Sequence, residues 1–165
     1  MGVSQTEFRQ ALGHFATGVT VITVARGAGQ VHGMTANAFT SVSLDPPLVL
    51  VCVARSSRTH PLLLAQRRFG ITVLREEQQA VARYFADVSQ DHEAPAHLGI
   101  RYRQTERGTV LLEPCLAQLE CLLRTSQDAG DHTLFLAEVE SVAVHEARPL
   151  LFYRGQYRQL GAEAT

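Results

Sequence analysis

The sequence contains no lysine, so all fifteen of its cationic side chains are arginines. Any phosphate that a side-chain cation binds must therefore be bound by arginine, whose planar guanidinium can hold it through two hydrogen bonds. The formal net charge is −1, and no basic block or stripe of aromatic and positive residues occurs. This charge pattern argues against a nucleic-acid-binding protein.

Cysteine is also scarce. Cys52, Cys115 and Cys121 form an odd set without Cys-x-x-Cys spacing, which argues against a disulfide scaffold and a zinc knuckle. We therefore expect these thiols to be reduced and buried. No apolar run approaches the roughly 18–20 residues of a membrane span, and no secretory signal is visible. The sequence thus predicts a soluble cytoplasmic protein that does not contact a membrane.

Common nucleotide and metal motifs are missing or wrongly spaced. Gly27, Gly29 and Gly33 resemble a dinucleotide fingerprint, but the spacing is one residue too long and no helix follows. The segment from His92 to His97 is one residue too long for a zinc-protease motif, and Pro95 would break the required helix. Neither a Gly-x-Ser-x-Gly elbow nor a P-loop occurs. We therefore expect no metal site and no Rossmann-type nucleotide binding.

The chain has 165 residues, 45% of them hydrophobic, which suffices for one domain spanning residues 1–165. Ser4 and Glu7 fit a capping box that begins a helix ending at Gly18. Residues 88–108 are polar and aperiodic, which predicts a long excursion. Hydrophobic periodicity and turn residues predict strands at 19–25, 48–54, 69–74, 116–124, 132–145 and 150–153, helices at 61–66 and 76–87, and turns at 27–29 and 126–131.

The predicted strands do not alternate regularly with helices, which argues against a doubly wound parallel sheet. A mainly β fold with inserted helices fits better. We expect an antiparallel barrel that is closed so that its sheet edges are hidden.

One segment, from Gly33 to Pro47, lies between two apolar strands and is unusually polar for a core strand. We expect its part from Met34 to Ser43 to be a strand that faces a buried planar ring. Its polar side chains would need partners if it lay near the core. A flat heteroaromatic ligand, rich in donors and acceptors, would supply them, and the small Ala36 and Ala38 would let the backbone approach it. The alternative is a solvated, hydroxyl-rich edge strand. The polar residues are Thr35, Asn37, Thr40, Ser41 and Ser43.

Two shorter motifs suggest nucleotide chemistry. The loop from Arg55 to Thr59 offers hydroxyls and backbone N–H groups just before a helix, which suits a phosphate. Simple N-capping is its alternative explanation. In Gly130-Asp131-His132, a histidine held by a neighbouring carboxylate could orient a cofactor, whereas the alternative is ordinary turn chemistry.

Taken together, these segments resemble the flavin reductase-like family, the short-chain flavin reductases of two-component monooxygenases. The resemblance covers about residues 7–160. It is carried by Phe8-Arg9, Phe15, Gly18-Val19-Thr20-Val21-Ile22-Thr23, the block from Gly33 to Pro47, Ser57-x-Thr59, Phe69-x-x-x-Val73-Leu74, Phe85-Ala86, Gly130-Asp131-His132 and Pro149-Leu150-Leu151-Phe152-Tyr153-Arg154-Gly155.

The resemblance implies an FMN-binding split barrel, a homodimer with the flavin near the subunit interface, and a binding residue for each part of the cofactors. His132 would contact the nicotinamide nucleotide as the catalytic residue, with Asp131 positioning its loop. Many relatives carry asparagine near position 72, where this chain has Thr72, so no flavin contact is carried over there. The isoalloxazine ring would be lined by Thr35, Ala36, Asn37, Ser41, Val42 and Ser43, the ribityl phosphate held by Ala54, Ser56, Ser57 and Thr59, and the site closed by Tyr153 and Arg154.

The implied activity is hydride transfer from NADH or NADPH to FMN or FAD, with reduced flavin passed to a partner monooxygenase. A reductase that keeps its FMN bound and reduces another acceptor remains an alternative. So does a flavin-binding electron-transfer or storage protein without nicotinamide activity. The choice between the two nicotinamides, and between the two flavins, stays open at this point.

Overall fold

The computed structural model describes residues 2–27, 29–88 and 96–161. They form three α-helices, namely α1 (Gln5–Gly13), α2 (Thr59–Gln66) and α3 (Gln79–Ala86), and a short 3-10 helix at Ala96–Leu98. The strands are β1 (Thr17–Gly18), β2 (Thr20–Gly27), β3 (Gln30–Ala36), β4 (Phe39–Leu44), β5 (Pro47–Ala54), β6 (Arg68–Val73), β7 (Arg101–Gln104), β8 (Val110–Glu113), β9 (Ala117–Ala129), β10 (His132–Val144), β11 (Leu151–Tyr153) and β12 (Gln156–Arg158).

The first helix begins as predicted. The Ser4 hydroxyl accepts a hydrogen bond from the Glu7 N–H, and the Glu7 carboxylate accepts one from the Ser4 N–H, which completes the capping box. The predicted end at Gly18 is wrong, because α1 stops at Gly13. Residues 17–18 instead pair with β11, and the strand hydrogen bonds compete with any longer helix.

The main sheet has seven strands in the order β3-β2-β6-β9-β10-β5-β4, and every pairing in it is antiparallel. Alternate residues of β2 serve two cores. Ile22 and Val24 pack with Leu63 of α2, whereas Val21 packs with Phe85 of α3. Both faces of this part of the sheet are therefore buried, which explains its nearly continuous apolar sequence. The prediction of a mainly β, antiparallel fold with inserted helices is confirmed.

The sheet is strongly curled. Its two edge strands, β3 and β4, are joined by residues 37–38 alone, and so short a connection spans only about 10 Å. Within the described ranges, no hydrogen bond pairs β3 with β4, so the closed barrel we predicted is not shown. The polar segment from Met34 to Ser43 is accordingly not one strand, as we expected, but parts of two opposite edges.

Two polar regions are more regular than predicted. Residues 126–129 continue β9 opposite β10, and only Gly130 and Asp131 form the turn. On the β9 side of that hairpin tip, residues 126–129 are exposed on both faces, so this part of the strand lacks the alternation of buried and exposed residues that marks a strand. Within the predicted excursion, β7 pairs with β8. Residues 89–95, including His92–Pro95 of the rejected zinc motif, lie outside the described residues, as does residue 28 of the predicted turn at 27–29.

Candidate functional site

A cleft of about 450 Å³ opens between the edge strand β3, the end of β5, the loop before α2 and the end of α3. Its volume lies within the range of about 300–1,000 Å³ that is typical of small-molecule sites. The cleft is lined by His32, Gly33, Met34, Thr35, Ala54, Ser56, Ser57, Arg58, Thr59, Phe85, Ala86 and Val88.

One wall of the cleft depends on close packing of α3 against β3. A Cβ atom added at Gly33 would lie 2.4 Å from ring carbons of Phe85, so only glycine fits beneath that ring. The Thr35 hydroxyl donates to the Ala82 carbonyl at 2.7 Å and ties the same strand to the helix. This wall is therefore built entirely within one chain.

A second wall is the hydroxyl-rich loop. The Ser57 hydroxyl accepts the Thr59 N–H at 3.1 Å and donates to the Met34 sulfur at 3.4 Å. The Thr59 hydroxyl lies 2.9 Å from Nε2 of His32, and both residues are buried. Ser56 is exposed and has no side-chain hydrogen-bond partner among the described residues. The loop is thus pre-ordered and presents hydroxyls, together with the Arg58 guanidinium, to the cleft.

The Asp131–His132 turn lies beside this loop. His132 is the register partner of Ala54, and the Arg55 N–H donates to the Asp131 carbonyl at 3.0 Å. Nδ1 of His132 lies 2.7 Å from the Asp131 carboxylate. Because an ionised carboxylate can only accept, Nδ1 carries the proton, and Nε2 is left for a ligand. This hydrogen bond, with the charges of His132 and Arg9, holds the pKa of Asp131 below its usual value.

Several predicted residues do not line the cleft. Ala36 ends β3 and packs on the core, Asn37 is exposed in the connection that follows, and Ser41, Val42 and Ser43 lie on the opposite edge strand β4. The first part of the polar segment therefore reaches the cleft within one chain, and the second part does not.

Tyr153 and Arg154 also lie apart from the cleft. They pack against the end of α1, where the Arg154 N–H donates to the Gly13 carbonyl at 2.8 Å and the Tyr153 ring meets His14 edge-on. Arg154 lines a separate cavity of about 190 Å³ together with Arg9 and His14.

Seven of the residues that line the cleft have no role in the site predicted from the sequence, namely His32, Gly33, Met34, Arg58, Phe85, Ala86 and Val88. Gly33, Met34 and Arg58 stood inside motifs that we singled out for their polar side chains, and Phe85-Ala86 was among the segments that carry the family resemblance, without a role in the site. Nothing in the sequence marked His32. Thr72, where relatives carry asparagine, is buried in β6 and accepts the Leu112 N–H at 3.3 Å, away from the cleft.

Other kinds of site are less well supported. The three cysteines are free, and burial raises the pKa of each thiol, that of Cys121 to about 12. None is therefore an activated nucleophile. Cys52 is only half-buried, unlike our prediction, because it lies on the uncovered outer face of β5. In the described ranges, no helix is long and apolar enough to cross a membrane, and no group of His, Cys, Asp or Glu side chains is placed to hold a metal.

Comparisons with known proteins bear on this site. Residues 12–161 match the model of the flavin reductase like domain. The chain is 42% identical over 160 residues to an NADH-dependent flavin reductase of Rhodococcus sp. The aligned region covers 96% of this chain and 88% of the relative. It is 39% identical over 161 residues to the reductase subunit HsaB of a flavin-dependent monooxygenase from Mycobacterium tuberculosis, covering 96% of this chain and 83% of the subunit.

A solved structure agrees. The NADH:FAD oxidoreductase SgcE6 of Streptomyces globisporus, in complex with NAD and FAD fragments, superimposes with a TM-score of 0.87 at 38% sequence identity, covering 98% of this chain and 96% of that one. The family match spans the loop, the hairpin and both edge strands described above. This chain belongs to the flavin reductase-like family.

Proposed function

We propose that this chain is an NADH-dependent flavin reductase that transfers a hydride to FMN or FAD. The observation that carries the proposal is that the hydroxyl-lined cleft lies directly beside the Asp131–His132 turn. A backbone hydrogen bond from Arg55 to Asp131 joins them, and they lie at the ends of the paired strands β5 and β10. The names of the relatives support NADH as the donor, because they are called NADH-dependent. NADPH remains the second nicotinamide to be tested.

The residues of the cleft fit a flavin nucleotide. Ser56, Ser57 and Thr59 are placed to hold the phosphate and ribityl chain beside Ala54, with Arg58 supplying the positive charge. The Ser56 hydroxyl, which has no partner within the described ranges, and the close wall at Gly33 suit a polar chain that leads to a flat ring. We assign Thr35, Ala36, Asn37 and the Ser41–Ser43 segment to that ring.

The finer architecture that we propose is the FMN-binding split barrel. It is supported by the curl of the sheet, because a connection of only two residues joins the edge strands β3 and β4.

We propose a homodimer, because a single chain leaves two apolar surfaces uncovered. The apolar surface at α1 is uncovered: Phe8 and Leu12 of the helix are 57% and 56% exposed, and Phe15, two residues after the helix, is 76% exposed. The outer face of β5 and β10 is also apolar and belongs to neither core cluster, with Leu50 opposite Leu136 and Cys52 opposite Leu134.

Ala54 and His132 continue that outer face, because side chains two residues apart in a strand point the same way. The proposed dimer interface therefore adjoins the cleft. We propose that it brings the Ser41–Ser43 segment, Tyr153 and Arg154 of one copy close to the flavin of the other copy.

When bound, the flavin supplies the redox chemistry by accepting a hydride from the nicotinamide. The protein binds and orients the two rings. His132, held by Asp131, presents Nε2 to the nicotinamide nucleotide and acts by orientation, not as an obligatory acid. Backbone N–H groups near Ser41–Ser43 would stabilise charge that develops on the flavin edge.

We further propose that the protein is cytoplasmic and passes reduced flavin to a partner monooxygenase. The relative HsaB is named a reductase subunit of such an enzyme.

The test is to mix purified protein with NADH and FMN, FAD or riboflavin in turn, and to follow the loss of NADH absorbance. Turnover with NADH above that with NADPH is expected. Bound FMN without turnover would leave the electron-transfer or storage function, and neither binding nor turnover would overturn both.

A further inference from the structure

A hydrogen-bonded chain of side chains connects α2 to the β9–β10 hairpin. Nε2 of His60 lies 2.9 Å from the Thr133 hydroxyl, which donates to the Asp128 carboxylate at 2.8 Å. Thr133 is only 2% exposed, whereas Asp128 lies at the exposed tip of the hairpin. The chain therefore runs from the protein interior to its surface beside the cleft.

The number of protons fixes the direction of this chain. A threonine hydroxyl has one proton, and an ionised carboxylate has none to give, so the proton of Thr133 points to Asp128. Nε2 of His60 must then be the donor to Thr133. The His60 ring is further held edge-on against Phe135, with ring centroids 5.5 Å apart. The imidazole is thus fixed in both tautomer and orientation.

The hydrogen-bonded side chains lie next to residues of the proposed binding sites. His60 follows Thr59, which is in the phosphate loop, and Thr133 follows His132, which faces the nicotinamide nucleotide. A second link, the hydrogen bond from the Arg55 N–H to the Asp131 carbonyl, runs parallel to it. The hydrogen bond between His60 and Thr133 therefore joins the residue after Thr59 to the residue after His132, the two groups whose spacing we expect to set how the rings meet.

We propose that Thr133 and His60 are positioning residues for hydride transfer, which hold the Asp131–His132 turn against the flavin-phosphate loop. This inference rests on the proposed function. Neither residue lines the cleft, so they act through Thr59 and His132. Hydride transfer needs reacting atoms at about 3–3.5 Å, and a displacement of roughly 1 Å can cost on the order of 100-fold in rate. A loosened turn should therefore lower kcat more than it lowers flavin affinity.

The test compares Thr133→Val, which keeps the shape but removes the hydroxyl, with Thr133→Ser, which keeps the hydroxyl. We expect Thr133→Val to lower kcat about tenfold, within the loss that small misplacements cause, while the FMN dissociation constant changes less than about twofold. Thr133→Ser should recover most of the lost rate. The matched control is Thr109→Val, because Thr109 is equally buried and its hydroxyl has no partner among the described residues.

A spectroscopic measurement accompanies the kinetics. The ¹⁵N shifts of the His60 ring should report the Nε2–H tautomer in the parent and in Thr133→Ser, and a mixture of tautomers in Thr133→Val. A kcat within about twofold of the parent, equal damage from Ser and Val, or an unchanged tautomer in Thr133→Val would each overturn the proposal.

Two outcomes need separate treatment. If Thr133→Val does not fold, Asp128→Ala replaces it, since Asp128 is exposed. That variant should lower kcat about threefold, less than the loss for Thr133→Val, and shift the His60 resonances; no change in either would overturn the positioning role. Failure of the unsubstituted protein to oxidise NADH would instead refute the proposed reductase function, so the two failures are distinguishable.

Discussion

The two edge strands of the main sheet have similar small and hydroxylated residues but different surroundings. β3 is covered by α3, and Gly33 and Thr35 both contact that helix. β4 borders only β5, and Ser41 and Val42 on it are exposed. The β3 part of the polar segment therefore forms a wall of the cleft, whereas the β4 part lies on the protein surface.

This difference suggests how the site is completed. Side chains on a covered strand are fixed by the chain itself, whereas those on β4 need a second molecule to become part of a pocket. In the proposed homodimer, a second copy would cover the apolar surfaces of α1 and of the β5–β10 outer face. A monomer should therefore keep the phosphate loop intact but bind the flavin ring incompletely.

The largest expected effect tests the uncovered side. Replacing Phe8 and Leu12 with serine removes two exposed apolar side chains from α1 of each copy. Each buried side chain of this kind contributes about 1.5–3 kcal/mol, so the dimer dissociation constant should rise more than about 100-fold. Sedimentation at a series of concentrations measures it.

The control for this pair is Val144→Ser, at the far end of β10, where the valine is also exposed, at 77%, but lies outside the proposed interface. If the unsubstituted protein sediments as a monomer, the proposed homodimer is wrong, and so is the inference that a second copy covers the β4 side.

The second prediction tests the covered side. Ser57→Ala combined with Thr59→Ala removes two hydroxyls that can donate to a phosphate, each hydrogen bond to a charged group contributing about 1.5–3 kcal/mol. We expect the FMN dissociation constant to rise at least about 30-fold and that of riboflavin, which lacks the phosphate, only about threefold. Flavin fluorescence quenching measures both.

Thr40→Ala serves as the control for these hydroxyls, because Thr40 is exposed on β4 and, in the part of the chain that the structure describes, its hydroxyl bonds only to the neighbouring Ser41 carbonyl. Equal losses for FMN and riboflavin would place the phosphate elsewhere.

The third prediction concerns the wall itself. Gly33→Ala forces a methyl group into the Phe85 ring, and overpacking of this kind typically costs about 1–3 kcal/mol in the free energy of unfolding. Urea denaturation measures the loss. Gly18→Ala is the matched control, since a Cβ there meets nothing within 4 Å, and its stability should change by less than about 0.5 kcal/mol. Similar losses in the free energy of unfolding for the two variants would show that α3 can shift to accommodate the added methyl group.

Local signals in the sequence predicted much of the fold. The capping box, the proline near the start of α2 and the apolar runs of β2, β5, β6 and β10 gave those elements correctly, because their signals are local. The polar tip of β9 and the arginine-rich β7 were missed, since pairing with a neighbouring strand, not their own pattern, makes them strands.

The site was predicted less completely, for the same reason. The hydroxyls of Ser56, Ser57 and Thr59 stand close together in the sequence, so their shared loop was visible. Phe85 reaches the cleft because α3 packs on β3, and His32 reaches it because β3 runs beside the start of α2, where His32 contacts Thr59. No pattern within these segments shows either contact. Conversely, residues 34–43 looked like one strand because their composition hides the break at residues 37–38.

The smallest expected effect tests the turn that joins the two regions. His132→Ala removes the ring that Asp131 orients, and we expect the apparent KM for NADH to rise about fivefold to tenfold, equivalent to roughly 1–1.4 kcal/mol, with FMN affinity nearly unchanged. His145→Ala is the control, because His145 is exposed at the opposite end of the same strand. Steady-state rates at saturating FMN, with NADH varied, measure the effect. If KM stays constant while FMN binding weakens, His132 belongs to the flavin loop and the separation of the two binding sites is wrong.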